Sequence, residues 1–241
     1  MARDPRLDRD AAQRGDALAA IDILRGLDAA ARQAIATRCR WHTYAADQQI
    51  VGHQDDSRDV HFIVSGRVRI VLYAASGREV TFRDQGAGGM YGELAAIDGA
   101  PRSASVVALA ETTIAALPPA AFWQALRDHP EIAAETLRRL AMLVRSLSER
   151  VYEFSTLAVK NRLHAELLRL CRDRMTGARE AVIDPSPTHA EIASRISTHR
   201  EAVTRELGEL ARAGLVERRG HGLVVLDVPR LARMVEDVEG A

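Results

Sequence analysis

Long apolar runs are missing from this sequence of 241 residues. No stretch approaches the length of about 20 apolar residues that a membrane-spanning helix needs. The first residues are charged rather than apolar, which is unlike a secretion signal. We therefore expect a cytoplasmic protein that has no membrane partner.

The sequence also lacks a cluster of cysteines, and its histidines do not have the spacing that is typical of a metal site. Cys39 and Cys171 lie far apart, which argues against a zinc or iron–sulfur site and fits a reducing compartment. His42, His53 and His61 lack the tight His-x-His spacing, with a following Glu, of a cupin-type metal site. We expect no metal and, since no Ser/His/Asp or Cys/His arrangement stands out, no catalytic residue and no enzyme. A cupin enzyme fused to a DNA-binding module is the alternative from another class.

The sequence also has no net charge, because 33 Lys and Arg residues balance 33 Asp and Glu residues. The overall charge therefore gives no indication of a nucleic-acid or membrane partner. Lys160 is the only lysine, so arginine supplies nearly all of the positive charge. Any contact with DNA has to be argued from a local pattern.

Alternation of apolar and polar residues predicts a β-rich region from Arg40 to about Leu117. Before it, helical spacing predicts two short helices between Ala17 and Arg38. Ser65-Gly66 and Ser76-Gly77 are candidate hairpin turns. The short runs and the glycines between them predict an antiparallel sandwich or small barrel, which Pro118-Pro119 ends. A short helix should follow, up to Asp128.

A heptad seam predicts one long helix from Pro130 to Ala158. Apolar residues recur in steps of three and four, as in a helix that pairs with a copy of itself. At 1.5 Å per residue such a helix is roughly 40 Å long, longer than a small domain needs for its own core. We expect a dimerisation helix with a solvated flank that includes Arg139, Arg150 and Glu153; a long helix packed on its own domain is the alternative. The seam residues are Leu137, Leu140, Val144, Leu147, Val151, Phe154 and Ala158.

Two helix-start signatures lie ten residues apart near the C-terminus. Thr188 to Glu191 and Thr198 to Glu201 each fit a capping box, with Glu three residues after Thr. The short separation predicts a helix-turn-helix. Two short apolar runs flank the segment from Arg219 to Gly222, which predicts the β-hairpin wing of a winged helix. A short closing helix should follow.

The segment 91–104 has residues suited to a phosphate and a sugar. Gly92 lets the backbone approach a ligand closely, and the start of a short helix at Glu93 offers free N–H groups. Arg102 can bring a bidentate fork to an anion, while the Glu93 carboxylate can accept from a sugar hydroxyl. A surface Glu–Arg pair on a loop is the alternative interpretation.

With its Gly-Glu-Leu and Pro-Arg-Ser-Ala motifs, this segment resembles the phosphate-binding cassette of cyclic-nucleotide-binding domains. Together with the β-roll, the long helix and the winged helix in that order, the sequence resembles the CRP/FNR family of bacterial transcription regulators over residues ~17 to ~228. The resemblance implies a cyclic nucleotide effector, cAMP or cGMP. It implies that the ligand is held by Gly92, Glu93, Leu94, Ala95, Arg102, Ser103 and Ala104.

The resemblance also places the base of the nucleotide against the long helix. The positions that reach the base in the enteric members correspond to Leu147 and Ser148, the serine acting from the partner subunit. Leu147 cannot hydrogen-bond, and Leu143 stands where those members carry arginine. Ser103 could hydrogen-bond a guanine base or the phosphate, so cAMP and cGMP both stay open.

The second helix of the helix-turn-helix carries Arg200, Glu201 and Arg205. In a major groove, arginine forks to guanine and glutamate accepts from cytosine. The alternative is that Glu201 only caps the helix and the arginines are surface charge. The spacing resembles the family's recognition helix, which implies a palindrome with half-sites close to TGTGA. The predicted DNA-binding set is Thr188, Thr198, His199, Arg200, Glu201, Thr204 and Arg205.

We therefore predict an α+β protein with three parts. Residues 17–128 form an antiparallel, jelly-roll-like β-roll that binds the effector, 129–158 the dimerisation helix, and 159–241 the winged helix-turn-helix. The predicted function is a homodimeric regulator gated by a cyclic nucleotide, with a hinge near Thr156 to Val159. Its partners are double-stranded DNA and, for an activator, RNA polymerase. The alternative within this fold is a different small effector, or constitutive activity.

Overall fold

A computed structural model describes residues 14–74 and 79–239. The chain divides into two compact units. The first holds the described residues up to Leu143, apart from Glu79 and Val80. The second holds Glu79, Val80 and the described residues from Val144 onward.

In the N-terminal unit, residues 14–17 are helical and lead into two 3-10 turns, Leu18–Ala20 and Asp22–Leu24, and then helix α1 (Ala29–Ala36). Asp28 caps α1, because its side chain accepts from the N–H of Ala31 at 2.8 Å. The two short helices predicted between Ala17 and Arg38 are thus two 3-10 turns and one α-helix, separated by residues 25–28. Leu18, Ile21 and Leu24 pack in one hydrophobic core with Phe62 and Phe122, which lie later in the chain.

Eight strands form the β-roll as two antiparallel sheets of four strands, ordered β1-β8-β3-β6 and β2-β7-β4-β5. The alternation of apolar residues therefore predicted the right architecture. The strands are β1 (Arg40–Tyr44), β2 (Gln49–Val51), β3 (Val60–Ser65), β4 (Arg67–Tyr73), β5 (Glu79–Gly86), β6 (Met90–Tyr91), β7 (Ser105–Ala108) and β8 (Thr112–Leu117).

The predicted hairpin turn at Ser65-Gly66 is wrong, because β3 and β4 belong to different sheets. Gly66 has a φ of 83°, and the chain uses this left-handed residue to pass from one sheet to the other. The Thr112 side chain fixes the corner, with its Oγ1 3.1 Å from both the N–H and the carbonyl oxygen of Arg67. The second candidate turn, Ser76-Gly77, lies outside the described residues.

Three helices follow or interrupt the sheets: α2 (Glu93–Asp98), α3 (Pro119–Asp128) and α4 (Pro130–Thr156). Pro119 and Pro130 are each the first residue of a helix, a position that needs no N–H donor. The long helix is present with 27 residues, but it ends at Thr156. The last predicted seam residue, Ala158, is instead the N-cap of the next helix.

The C-terminal unit holds α5 (Val159–Cys171), α6 (His189–Arg195), α7 (Arg200–Arg212) and α8 (Val228–Glu239). Its strands β9 (Ala181–Ile183), β10 (Val216–Arg219) and β11 (Gly222–Val225) form one sheet in the order β10-β11-β9. The predicted wing is confirmed as the β10–β11 hairpin, which turns at Gly220 with a φ of 61°. The predicted order of β-roll, long helix and winged helix-turn-helix is therefore confirmed.

None of the helices in the described part of the chain is long and apolar enough to cross a membrane.

Candidate functional sites

The segment 91–104 folds around a glycine that no other residue can replace without strain. Gly92 precedes α2 with a φ of 86°. A Cβ atom there would lie 2.3 Å from Arg102 Nη1 and 2.7 Å from the carbonyl oxygen of Asp59. Gly92 therefore permits both the left-handed turn and the close approach of the backbone to the Arg102 guanidinium.

Arg102 is buried at 3% exposure, and its guanidinium is oriented by three acceptors. Its Nε donates to Ser57 Oγ at 3.1 Å, Nη1 donates to the Gly92 carbonyl oxygen at 3.2 Å, and Nη2 donates to the Asp59 carbonyl oxygen at 2.8 Å. Burial lowers the pKa of Arg102, while Tyr91 and Asp59 act in the opposite direction. The group stays cationic, as arginine does in proteins, and is fixed in place for an anion. Ser57 and Asp59 were not predicted as parts of this site.

Glu93 supplies a buried acceptor that has no partner in the described part of the chain. The residue is 6% exposed, and its Oε2 atom is buried without a hydrogen bond to any residue that the structure describes. Leaving such an atom unpaired costs about 1–3 kcal/mol, or more for a charged group. A hydroxyl group from a ligand would remove that cost, which fits the predicted contact with a sugar.

The other predicted cassette residues share this loop and helix, but their contacts with the residues that the structure describes do not define a role. Leu94 and Ser103 are exposed, whereas Ala95 and Ala104 are buried. Their assignment to the ligand stays a prediction.

A polar pair that the sequence did not indicate lies inside the β-roll. The rings of His61 and Tyr91 stand 4.8 Å apart on paired strands β3 and β6. Both residues are buried, and His61 Nδ1 and the Tyr91 hydroxyl have no hydrogen-bond partner among the described residues. Burial, with Arg102 nearby, lowers the pKa of His61 to about 4, so the ring is neutral at pH 7. Within the ranges 14–74 and 79–239, no three His, Cys, Asp or Glu side chains gather as a metal site.

The seam of α4 forms an exposed apolar stripe. Leu137, Val144 and Val151 are 67%, 62% and 65% exposed, and Leu147 and Phe154 also lie at the surface. Leu140 is partly buried. Ser148 is exposed on this helix, and its hydroxyl donates to the Val144 carbonyl oxygen at 2.9 Å. Such a stripe is suited to pairing with a second copy of the helix.

The predicted solvated flank of α4 is wrong at Glu153, which is only 6% exposed. Arg169 of α5 covers it, with its Nη1 and Nη2 atoms 2.5 and 3.2 Å from the two carboxylate oxygens. The same guanidinium donates from Nε to Glu166 at 3.0 Å, and Arg195 of α6 lies 3.4 Å from Glu166. Arg150 donates to the carbonyl oxygen of Arg195. This ionic cluster, Arg150, Glu153, Glu166, Arg169 and Arg195, joins three helices of the C-terminal unit. On the same flank, Arg139 pairs with Asp22 at 2.8 Å.

The two predicted capping boxes have different outcomes. The first is confirmed: Thr188 Oγ1 accepts from the Glu191 N–H at 3.2 Å, and the Glu191 side chain accepts from the Thr188 N–H at 2.7 Å. The second is wrong, because α7 begins one residue later with His199 as its N-cap and no side-chain cap. Ser197, with a φ of 52°, extends the turn by a residue. Glu201 is consequently the second residue of α7 and does not cap it.

The start of α7 presents the predicted base-reading side chains. Arg200, Glu201, Thr204 and Arg205 line one shallow groove and are exposed. The Thr204 hydroxyl donates to the Arg200 carbonyl oxygen at 3.0 Å and lies 2.7 Å from Nδ1 of His189 on α6. His189 was not predicted as part of this surface. Thr188, Thr198 and His199 lie at the adjoining helix starts, and their contact with DNA stays a prediction.

Two sequence profiles match the chain in the order of its units. The profile of the cyclic nucleotide-binding domain matches residues 41–129, and that of the Crp-like helix-turn-helix domain matches residues 161–234. These matches cover the β-roll with its cassette and the helix-turn-helix with its wing.

Known proteins match nearly the whole chain. The cyclic AMP receptor protein of Thermus thermophilus is 30% identical over 198 residues, covering 81% of this chain and 86% of the relative. A CRP-like cAMP-activated global transcriptional regulator of Mycobacterium tuberculosis is 27% identical over 217 residues, covering 90% of this chain and 97% of the relative. The structure of a CooA mutant from Carboxydothermus hydrogenoformans shares the fold, with a TM-score of 0.76 at 19% identity over 89% of this chain and 94% of that one.

Proposed function

Because the chain belongs to the CRP/FNR family of transcription regulators, we propose that it is a homodimer that binds DNA under the control of a cyclic nucleotide, cAMP or cGMP. The observation that carries this proposal is a carboxylate oxygen of Glu93, buried without a partner among the described residues, in the same segment as the oriented guanidinium of Arg102. A cyclic nucleotide has a ribose hydroxyl and an anionic phosphate side by side, which matches these two groups.

The ligand would meet the two side chains in different ways. Arg102 would receive the phosphate on the N–H groups that its protein acceptors leave free, with little loss of side-chain entropy because it is already fixed. Glu93 would accept the ribose hydroxyl and regain the hydrogen bond that its Oε2 atom lacks. Contacts of the base with Leu147 and Ser148 stay predictions from the resemblance.

The dimer and the DNA contact complete the proposal. Two chains would pair along the exposed stripe of α4, and the two copies of α7 would then have to meet successive major grooves about 34–36 Å apart. Arg200, Glu201 and Arg205 would read half-sites close to TGTGA, since their side chains are exposed in one groove. RNA polymerase would be a further partner if the regulator activates. Leu143 and Leu147 support the second candidate, the same fold with a different effector or none.

The substitution Glu93→Gln tests the proposal. It keeps the shape of the side chain but removes the charge, and hydrogen bonds to charged groups contribute about 1.5–3 kcal/mol. We expect titration calorimetry with cAMP and cGMP to show about 10- to 150-fold weaker binding of the preferred nucleotide. Nucleotide-dependent binding to a TGTGA palindrome should weaken in parallel.

The matched control is Glu111→Gln, since Glu111 is exposed on a loop of the same unit. This variant should bind nucleotide and DNA as the wild type does. Absence of binding of either nucleotide by the folded wild type, or equal affinity of wild type and Glu93→Gln, would contradict the proposal.

A further inference from the structure

A buried histidine–glutamate pair joins α7, the predicted base-reading helix, to α5 of the same unit. His164 of α5 is 1% exposed, and Glu206 of α7 is 8% exposed. Nε2 of His164 lies 2.9 Å from a carboxylate oxygen of Glu206. Because an ionised carboxylate only accepts hydrogen bonds, His164 is the donor in this contact. A directional polar contact therefore crosses the interface between the two helices.

Apolar side chains of the same two helices pack around this contact in one hydrophobic core. Leu163 and Leu167 of α5 belong to that core, together with Val203 and Leu207 of α7. The burial of such side chains is not directional, so several arrangements of the two helices would bury nearly the same area. A hydrogen bond between buried polar groups requires a defined distance and angle, and it favours one of these arrangements.

Stability alone does not account for the pair. Nδ1 of His164 is buried without a hydrogen-bond partner among the residues that the structure describes. Such an atom is costly, and buried ion pairs are often no more stabilising than apolar side chains of similar volume. The best attested use of a buried polar group between helices is to fix their register.

The register of α7 determines where its exposed face lies. Arg200, Glu201, Thr204 and Arg205 line the exposed groove, whereas Glu206 is buried. A slide or rotation of α7 against α5 would displace all four groove residues together. Because a binding constellation has to be held within about 0.5 Å and 10–20° of its productive geometry, a small displacement is enough to weaken an arginine fork to guanine.

We propose that the His164–Glu206 pair fixes the register of α7 on α5 and thereby sets the sequence specificity of DNA binding. Both are positioning residues, since they are buried and act through the side chains of the exposed groove. Contacts with phosphate would depend little on the pair, because they rely on charge and carry no sequence information. This inference rests on the proposed function, in which α7 reads the bases of a TGTGA-like half-site.

The double variant His164→Leu with Glu206→Leu tests the assignment, because it removes the pair without leaving one partner buried alone. The full chain with its preferred nucleotide would be titrated with a TGTGA palindrome and with the same duplex carrying adenine for one guanine of one half-site. The wild type should prefer the intact palindrome by about 5- to 150-fold, the range for one bidentate contact. In the double variant this ratio should fall by about 5-fold or more. The affinity for a random duplex, and its salt dependence, should not change.

Two control variants should keep the wild-type ratio of affinities. Glu206→Gln retains the shape of the side chain and an acceptor oxygen for His164, so it should preserve the register. Arg179→Gln removes an exposed ion pair with Asp227 in the same unit, and neither of these residues lies on α7. Urea unfolding would establish that each variant is folded.

An equal ratio in the wild type and the folded double variant would overturn the assignment and leave the proposed function intact. If the double variant does not fold, Glu206→Asp decides, because its side chain is shorter by one C–C bond of about 1.5 Å and withdraws the acceptor from His164. A reduced ratio in Glu206→Asp would support the assignment, and an unchanged ratio would overturn it. If the folded wild type does not distinguish the two duplexes, the base-reading role of α7 falls and this assignment falls with it.

Discussion

Replacement of Arg169 by methionine should destabilise the C-terminal unit by about 3 kcal/mol. Arg169 bridges two buried carboxylates, Glu153 at 6% exposure and Glu166 at 4%. Burial alone lowers the pKa of Arg169, but its bonds to these carboxylates outweigh burial and raise it. Methionine would keep most of the apolar stem and remove every charged contact.

The size of the effect follows from what each carboxylate loses. Glu153 would lose both hydrogen bonds from Arg169, at 2.5 and 3.2 Å, and would remain a buried charge without that partner. Glu166 would keep Arg195 at 3.4 Å and lose less. Removing one partner of a buried pair costs about 3–5 kcal/mol, and the 29% exposure of the Arg169 side chain argues for the lower end.

The assay is urea unfolding of the full chain, with hydrogen exchange of α5 amides to report on the C-terminal unit itself. Arg172→Met is the control, because Arg172 is exposed at the end of the same helix and should change stability by less than about 0.5 kcal/mol. The double variant Glu153→Gln with Arg169→Met should recover part of the loss. A loss below about 1 kcal/mol in Arg169→Met would mean that the cluster behaves as an ordinary surface pair.

Two further predictions concern the N-terminal unit. Gly92→Ala should abolish nucleotide binding in calorimetry, because the new Cβ would lie 2.3 Å from Arg102 Nη1. The control, Gly99→Ala, should keep nucleotide binding, since Gly99 has a similar φ of 73° but the nearest atom to its Cβ would be 4.0 Å away. An equal loss of nucleotide binding in both variants would refute the role of the clash. His61 has a pKa of about 4 when folded against an ordinary value of 6.5, so only the unfolded chain takes up this proton between those pH values. Stability should therefore fall by up to about 1.4 kcal/mol per pH unit on acidification through this window, and His61→Phe should remove that part of the slope in urea midpoints, whereas an unchanged slope would count against a buried neutral ring.

Local patterns predicted the parts of the fold that local forces decide. Alternation identified the strands, the heptad spacing identified α4, and the Thr188–Glu191 capping box identified the start of α6, because each depends on residues a few positions apart. The turn at Ser65-Gly66 was misassigned because the choice of sheet is made by pairing with β7 and β8, far along the sequence. The start of α7 was misplaced because Ser197 adopts a left-handed conformation that its residue type does not demand.

The candidate ligand site likewise contains residues that a local motif predicts and residues that only the folded chain brings together. Gly92, Glu93 and Arg102 lie in one short motif, and the sequence was enough to predict them as a group. The acceptors that orient Arg102 are 43 and 45 residues before it, at Asp59 and Ser57, so no spacing rule indicated them.

The ionic cluster also bears on where a gating motion can occur. A ligand shifts an equilibrium only through contacts that differ between two states. The predicted hinge near Thr156 to Val159 coincides with the break between α4 and α5, but Glu153 and Arg169 are bonded across that break. Bending at the break would therefore have to open this buried ion pair, or else Arg169 and α5 would have to move together with α4. The free energy of that pair sets the differential affinity that a nucleotide would need in order to move the hinge.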